Sequence, residues 1–124
     1  MGDRYDDVVE QIEDLGWTTE TIISDSLLII KSTYSEYSEK IGEYEVIKSY
    51  GFQRNIAGIY TMKLHFTIYP KQLFNEEFNH LNKNYISVAD MQWVDFDNNI
   101  RYYIAMVEES ETITVTGISI PSKN

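Results

Sequence analysis

Apolar residues near the start of the chain recur at i, i+3, i+4, i+7 and i+10, the spacing of one helix face. Asp3 is suited to cap this helix, and the acids that follow favour the positive end of its dipole. Gly16 stands where a left-handed residue closes a helix, and Trp17 can pack back onto the last turn. We therefore predict a first helix whose buried stripe consists of Tyr5, Val8, Val9, Ile12 and Leu15.

The following residues are rich in β-branched and aromatic types, which favour strands. Ser24 to Ser26 is a turn sequence, and Gly51 is expected to end a strand. The segment Ser32 to Lys40 is polar and serine-rich, which predicts an exposed connection. Strands are predicted at Thr18 to Ile23, Leu27 to Lys31, Glu43 to Tyr50 and Gly58 to Tyr69.

The last of these segments has the clearest strand pattern. Apolar and polar residues alternate along it, which is the period-two pattern of a strand with one buried face. His65 lies on the polar side between Lys63 and Thr67, which favours a solvent-facing or cross-strand role over catalysis. The predicted apolar face consists of Tyr60, Met62, Leu64, Phe66 and Ile68.

A second helix is predicted after Pro70, which suits the first turn of a helix because its missing N–H is not needed there. Asn82 and Asn84 can supply a left-handed exit from this helix. Its apolar side consists of Leu73, Phe74, Phe78 and Leu81.

Strand patterns return after the second helix. Asp97-Asn98-Asn99 is a tight-turn sequence between two of the strands. The apolar parity of the last strand slips at Gly117, which predicts a β-bulge. The strands are predicted at Tyr85 to Phe96, Ile100 to Glu108 and Ile113 to Ile120.

The order of elements, α-β-β-β-α-β-β-β, predicts an α+β fold in which two helices cover an antiparallel sheet of about five to six strands. The sequence has no repeat, linker or boundary, so we expect residues 1–124 to form a single domain, with 121–124 as a flexible tail. The expected core consists of Val8, Val9, Ile12, Leu15, Leu64, Phe66, Ile68, Leu73, Phe74, Phe78, Leu81 and Ile104.

The composition narrows the functional classes. The chain has no cysteine, which excludes disulfides, thiol catalysis and cysteine-based metal sites. The longest apolar run, Leu27 to Ile30, is far shorter than the roughly 20 residues of a membrane span. The acidic start of the chain does not resemble a secretory signal. We therefore expect a cytoplasmic protein that does not bind membranes.

The charge balance indicates the kind of partner. The formal net charge is −10, which repels nucleic acid and anionic membranes and attracts basic surfaces. We therefore expect a protein partner with a basic surface and no direct nucleic-acid binding. The alternative is that the negative charge only keeps a small protein soluble.

No motif indicates catalysis, a metal or a cofactor. His80 follows Glu76 and Glu77 at i+4 and i+3, and the lack of a second such motif favours surface pairing over a di-metal site. Asp95 to Asn99 imitates the start of a calcium loop, but isoleucine and methionine occupy the positions that require glycine and glutamate. We therefore expect no enzymatic activity, no metal and no cofactor.

Two surface features are candidates for partner binding. Six acids lie on the face of the first helix opposite its apolar stripe, in a row about 16 Å long. Such a row can imitate a row of phosphates or contact a basic partner. A merely solvated helix face is the alternative. The polar connection and its exit interleave tyrosine with serine and glutamate, and tyrosine is enriched at interfaces, although its rings can also pack on the sheet edge. The predicted partner-binding residues are Asp3, Asp6, Asp7, Glu10, Glu13, Asp14, Tyr34, Tyr37 and Tyr44.

Four local motifs, which together span most of residues 8 to 107, are similar to those of a known family. They are the helix exit Leu15-Gly16-Trp17, the strand-to-proline step Phe66 to Pro70, the helix ending Phe78 to Asn82 and the hairpin Trp93 to Tyr102. With the order of elements, these motifs resemble the YbjN-like family and the wider type III secretion chaperone-like fold. The resemblance implies an acidic, dimer-forming, non-enzymatic partner binder.

We therefore expect a small acidic, non-enzymatic protein-binding module, an adaptor or chaperone-like protein, that acts through its acidic first helix and tyrosine-rich loop. The alternative is an acidic inhibitor that blocks a basic nucleic-acid or active-site groove, such as a toxin-immunity or phage anti-defence protein that mimics nucleic acid. The last strand, Ile113 to Ile120, has no charged residue, so we expect it either to be covered internally or to form the edge of a homodimer.

Overall fold

The computed structural model describes residues 2–15, 18–23, 27–54 and 57–120, and of residues 18–23 it describes the backbone alone. The predicted helix exit at 16–17, the turn at 24–26 and the tail at 121–124 lie outside the described residues. The helices and strands are α1 (Tyr5–Asp14), β1 (Thr18–Ile23), β2 (Leu27–Ser38), β3 (Gly42–Arg54), β4 (Tyr60–Pro70), α2 (Phe74–Asn84), β5 (Ile86–Ala89), β6 (Gln92–Asp95), β7 (Ile100–Val107) and β8 (Thr112–Ser119).

All described strands belong to one antiparallel sheet in the order β1-β2-β3-β4-β8-β7-β6-β5. The α+β class, the antiparallel sheet and the two helices confirm the prediction. The predicted order, with three strands on either side of α2, and the predicted five to six strands are wrong in detail, because the sheet has 8 strands, four before α2 and four after it. The four strand segments predicted before α2 correspond to β1 to β4. Strand β8 lies between β4 and β7, so it is covered internally and does not form an edge. Among the described residues, no helix is long and apolar enough to cross a membrane.

Both helices pack on the same face of the sheet. Tyr50, His65, Gly117 and Tyr102 are paired in one row across β3, β4, β8 and β7, so they point to one face. Tyr50 packs against the cluster under α1, and Tyr102 packs against the cluster under α2. We call this the helix-covered face, and we call the opposite side of the sheet the open face.

The polar segment Ser32 to Lys40 is not an exposed connection. Strand β2 continues to Ser38, pairs with β3 down to Gly42, and contains the fully buried Ser32, with 0% exposure. Strand β3 likewise runs through Gly51 instead of ending there. The long ladder of inter-strand hydrogen bonds outweighs the weak strand preference of serine and glutamate.

The segment Tyr85 to Phe96 is not one strand, because a tight turn divides it into β5 and β6. Ala89 pairs with Gln92, so Asp90 and Met91 form the turn, and Met91 has a φ of 57°. Asp90 is a common turn residue, but methionine is not, although Met91 adopts the positive φ that glycine or asparagine usually provides.

The register of the sheet is irregular in other strand pairs than the predicted one, namely β3–β4 and β5–β6. Strand β8 pairs with both neighbours without a register shift, so there is no bulge at Gly117. The register shifts instead between Gly51 and Phe52 of β3, which pair with Leu64 and Met62 of β4. Because one extra residue reverses the parity of a strand, β4 presents different faces on either side of the bulge.

The core consists of two clusters. Under α1, Val8 and Ile12 pack against Phe52; under α2, Leu81 packs against Trp93. Of the predicted core, Val8, Ile12, Leu73, Leu81 and Ile104 are buried, while Val9, Leu64, Phe66, Ile68, Phe74 and Phe78 are only partly buried.

The prediction that Leu15 is buried is wrong. Leu15 is 58% exposed because it lies at the C-cap of α1, beyond the residues that pack on the sheet. The largest buried side chains are ones that the predicted core omitted, namely Trp93, Phe52, Ile30, Ile113 and Val46.

The start of α1 also differs from the prediction. Arg4 is the N-cap and no side chain caps the helix, so Asp3 is not the predicted cap. Instead, the Asp3 carbonyl accepts a hydrogen bond from the Met62 N–H at 2.8 Å, which attaches the start of the chain to β4.

The ends of α2 differ in a similar way. Pro70 ends β4 and precedes the 3-10 turn Lys71–Leu73, so it is not in the first turn of the α-helix. The helix ends at Asn84 with Tyr85 in an extended conformation, so neither Asn82 nor Asn84 provides a left-handed exit.

Candidate functional site

A cleft of about 290 Å³ opens on the helix-covered face beside α2. Tyrosine dominates its side-chain lining, so we call it the tyrosine cleft. Pockets for small ligands occupy roughly 300–1,000 Å³ and combine apolar walls with a few polar groups, so this cleft has the volume for one side chain or a similarly small molecule. The side chains that line it on this face are Lys48, Tyr50, His65, Thr67, Tyr69, Glu77, His80, Leu81, Tyr85, Tyr102 and Val115.

The bulge in β4 creates one wall of the cleft. Beyond the bulge, His65 pairs with Tyr50 and Thr67 pairs with Lys48, so both point to the helix-covered face with Tyr69. Leu64, Phe66 and Ile68, which the alternation pattern predicts to be buried, point to the open face instead. His65 therefore has the predicted cross-strand role, but beneath the helices rather than in solvent.

Gly117 makes room for the His65 ring. A Cβ atom at this position would lie 2.6 Å from His65 Nε2 and 3.0 Å from Tyr102 Cε1, closer than such contacts allow. The absence of a side chain therefore lets the imidazole lie across β8. Burial and the nearby charge of Lys48 lower the pKa of His65, which keeps the ring neutral at pH 7.

A pair of stacked tyrosines forms the opposite wall. The rings of Tyr85 and Tyr102 have centroids 4.5 Å apart with an interplanar angle of 19°, and His65 lies 5.9 Å from Tyr102. Burial and a hydrogen bond with Tyr85 raise the pKa of Tyr102, so its hydroxyl stays protonated. This wall therefore offers an aromatic face and neutral hydroxyls.

Glu77 brings a carboxylate from α2 towards the tyrosines. Burial raises the pKa of Glu77, while the neighbouring His80 and Lys48 oppose that shift. Burial and the charge of Glu77 raise the pKa of Tyr69. The Glu77 carboxylate is therefore poorly solvated and would gain from a cation beside it.

The ring of Tyr34, which lies on the same face of the sheet as the cleft, already contacts one ammonium group. Lys48 Nζ lies 5.9 Å from the centroid of the Tyr34 ring, which is within cation–π distance. Burial, with Glu36 as the next cause, raises the pKa of Tyr34 to about 12. The Tyr34 hydroxyl therefore remains protonated, and its ring interacts with a positive charge.

The acidic residues predicted to bind a partner are all exposed. Asp3 precedes α1, so the helical part of the row runs only from Asp6 to Asp14, about 12 Å rather than 16 Å. These helical acids fall within an arc of about 120°, away from the sheet. We call Asp6, Asp7, Glu10, Glu13 and Asp14 the acidic stripe.

The predicted tyrosine-rich loop is a strand hairpin, and it does not present its tyrosines together. Tyr34 and Tyr44 are partly buried and lie on the helix-covered face near the tyrosine cleft. Tyr37 is 73% exposed on the open face, because odd and even positions of a strand point to opposite sides. Nor does the hairpin meet α1, because Tyr34 lies about 13 Å along β2 from Ile30, which packs under that helix.

The sequence analysis did not predict the four tyrosines that line the cleft, Tyr50, Tyr69, Tyr85 and Tyr102. They come from β3, β4, the end of α2 and β7, so no local motif connects them. The abundance of tyrosine, 10 residues, was the only sequence signal.

The remaining candidate groups have structural partners. His80 is exposed, and its ring and carbonyl both contact the Asn84 amide, at 3.2 and 2.8 Å. Asp95 accepts hydrogen bonds from the backbone of Asp97 and Asn98, which forms the predicted hairpin turn. Within the described part of the chain, no group of three or more histidine or acidic side chains could hold a metal ion.

No protein-family model, curated protein or solved structure matches this chain. The geometry of the tyrosine cleft and of the surfaces around it is therefore the main indication of function.

Proposed function

We propose that this protein is a non-enzymatic binding module that recognises a basic segment of a protein partner. In this proposal, one lysine or arginine side chain of the partner enters the tyrosine cleft. The observation that supports it is the convergence of tyrosine rings and the partly buried Glu77 carboxylate around a cavity of about 290 Å³.

The chemistry of the cleft favours a cation. Aromatic faces attract ammonium and guanidinium groups, most strongly where water is partly excluded. Glu77 would add a charge-assisted hydrogen bond, and its ionised form would be favoured by the incoming cation. The contact between Lys48 and Tyr34 is an example of the same interaction within the chain.

The charge of the chain supports the same class of partner. A net charge of −10 raises the local concentration of basic molecules and speeds their approach. The acidic stripe lies on α1, on the same side of the sheet as the cleft. In this proposal, the stripe attracts the segment and the cleft selects one of its side chains.

The test is a titration monitored by NMR, with N-acetyl-arginine methylamide as the probe and N-acetyl-norleucine methylamide as its uncharged analogue. We expect the arginine probe to shift the resonances of Tyr50, His65 and Tyr102, and the uncharged analogue to shift them far less. Glu77→Gln should weaken binding about tenfold because it removes the carboxylate. The matched control is Glu76→Gln, on the exposed side of the same helix, which should change the dissociation constant by less than about twofold.

A second variant determines the sign of the ligand charge. Lys48→Met removes a positive group from the cleft, so it should tighten binding of the arginine probe. Weaker binding of that probe, or tighter binding of an anionic probe by the unmodified protein, would show that the cleft takes anions. Equal effects of Glu77→Gln and Glu76→Gln would also contradict the proposal.

The acidic stripe supports a second proposed function, that of an inhibitor. Its five carboxylates are exposed on one face of α1, and Arg4 is the only lysine or arginine in the sequence of residues 2–15. An inhibitor that blocks a basic nucleic-acid or active-site groove would use this stripe and would not need the cleft. Affinity that falls steeply with salt but is unchanged by Glu77→Gln would favour that function.

A further inference from the structure

We propose that the side chain which the tyrosine cleft binds most tightly is a lysine trimethylated on its side-chain amine. This inference rests on the proposed function and names the cation that the cleft selects. The observation that supports it is the excess of rings over charged acceptors. Four tyrosine rings line the cleft, whereas Glu77 is the only carboxylate among the described residues that line it.

The lining residues place the middle of the cleft over Thr67 of β4. Thr67 pairs with Val115 of β8, and these two residues form the floor. His65 and Tyr69 lie two residues to either side of Thr67 on the same face, so their backbones are roughly 13 Å apart. Aromatic rings therefore bound the floor at both ends, and α2 brings the Glu77 carboxylate to it.

The His65 end of the cleft has the larger aromatic surface. Tyr50 of β3 and Tyr102 of β7 lie in the same cross-strand row as His65. The His65 and Tyr102 rings are 5.9 Å apart, and Tyr85 stacks on Tyr102 at 4.5 Å. A cationic group that enters here meets rings from three different strands and from the end of α2. Such aromatic surroundings attract quaternary ammonium groups.

The cleft is less well suited to an unmodified ammonium group. A lysine ammonium has three N–H donors, and a donor without an acceptor in a partly buried site costs free energy. The Tyr102 hydroxyl already takes part in a hydrogen bond with Tyr85. Glu77 already interacts electrostatically with His80 and Lys48. A trimethylammonium group keeps the positive charge but has no N–H donor, so it enters the cleft without this cost.

Lys48 gives a second reason for the preference. Its ammonium lies 5.9 Å from the centroid of the Tyr34 ring, and its charge also acts on Glu77. Because Lys48 belongs to the same chain, it acts at a high effective concentration, and an unmodified lysine of a partner competes with it for the same kind of contact. The methyl groups add apolar contact with the tyrosine rings, which an unmodified ammonium does not make.

The test compares N-acetyl-Nε-trimethyllysine methylamide with N-acetyl-lysine methylamide in NMR titrations of the unmodified protein. We expect the trimethylated probe to bind about tenfold more tightly and to shift the resonances of Tyr50, His65 and Tyr102. Choline and the neutral alcohol in which a carbon atom replaces its nitrogen form a second pair of probes. Choline should bind more weakly than the trimethylated lysine, because it lacks the longer stem, and the neutral alcohol should not bind.

Two variants test the role of the rings. Tyr50→Leu and Tyr69→Leu, at opposite ends of the floor, should each reduce the preference for the trimethylated probe to about threefold or less. The matched control is Tyr37→Leu, which makes the same change on the open face, where the side chain is 73% exposed. It should leave the preference within about twofold. Two-dimensional NMR spectra confirm folding of each variant before its affinities are compared.

The outcomes separate this inference from the proposed function. Equal affinity for the two lysine probes, with the arginine probe still bound, would overturn the inference and leave the proposed function intact. No binding of any cation would overturn both. Equal binding of choline and its neutral analogue would show that the positive charge is not recognised. Tighter binding of choline than of the trimethylated lysine would assign the cleft to a free small molecule, and either result would overturn the inference.

Discussion

Gly117 and His65 show how one small residue defines part of the cleft. The imidazole lies against the backbone of β8 because position 117 has no side chain, and the ring then contacts Tyr102. The sequence pattern around Gly117 predicted a change in strand register. In the structure, the glycine instead allows the His65 ring to lie close to the backbone of β8. Close approach of another group is the other common reason for glycine within a strand.

Gly117→Ala should destabilise the protein by about 1–3 kcal/mol, because the new methyl group forces the His65 ring to move. The measurement is the free energy of unfolding in urea. In a His65→Ala background the same substitution should cost much less, since the atoms that clash are gone. An equal cost in both backgrounds would show that His65 is not the obstacle.

The stability of the protein should depend on the protonation of His65. Its pKa is lowered in the folded state, so below about pH 6.5 the unfolded chain binds the proton first, and stability falls as the pH falls. Relative to His65→Gln, the unmodified protein should lose up to about 1.4 kcal/mol per pH unit below that point. Urea melts of both proteins between pH 7 and pH 5 measure this. Parallel pH curves for the two proteins would contradict it.

Helix α2 is attached to the sheet by aromatic contacts. Phe78 packs edge to face on the fully buried Trp93 at 5.4 Å, and stacks with Phe74 at 5.7 Å. Trp93 Nε1 donates a hydrogen bond to Asn82 Oδ1 at 2.7 Å, which joins the same helix to β6. Since Glu77 and His80 lie on α2, this attachment also positions one side of the tyrosine cleft.

Phe78→Ala should therefore cost about 2–4 kcal/mol, somewhat less than a fully buried phenylalanine, because the ring is only partly buried. Leu15→Ala on α1 is the comparison, since Leu15 is 58% exposed and its truncation should cost less than about 1 kcal/mol. Denaturant melts measure both. A smaller loss for Phe78→Ala than for Leu15→Ala would mean that α2 does not depend on this contact.

The whole molecule is a sheet with two different sides. One side has both helices, the tyrosine cleft and the acidic stripe, and the other is the open face. The negative charge of the chain acts over this entire surface, opposing compaction while attracting basic partners.

Reversing Asp7, Glu10 and Asp14 to lysine changes the formal net charge from −10 to −4 and tests the role of that field. Stability should change by less than about 0.5 kcal/mol per site, because the positions are exposed and their mutual repulsion is relieved. If a partner captured from the native host is attracted by the stripe, its association rate should fall more than its dissociation rate rises. Surface plasmon resonance at low and high salt measures both rates. An unchanged association rate at low salt would show that the stripe does not attract the partner. The tyrosine cleft would then be the remaining candidate for partner binding.

The sequence by itself determined the class of fold, both helices and the position of most strands, because these depend on local periodicity. Period-two alternation identified β4, and the helical stripe identified Val8 and Ile12 as buried. The turn at Asp97 to Asn99 was also predictable, since its residue types form local hydrogen bonds.

Only the tertiary structure decided which face each residue occupies and which residues form the site. A bulge opposite Gly51 reversed β4, so Leu64 and Phe66 face outward while His65 lies in the cleft. Pairing with β3 made a strand of the polar segment that includes Ser32, and the strand order placed β8 at the centre. These outcomes depend on contacts between residues far apart in the chain, and a one-residue change in register exchanges the two faces of a strand without any change in its local pattern.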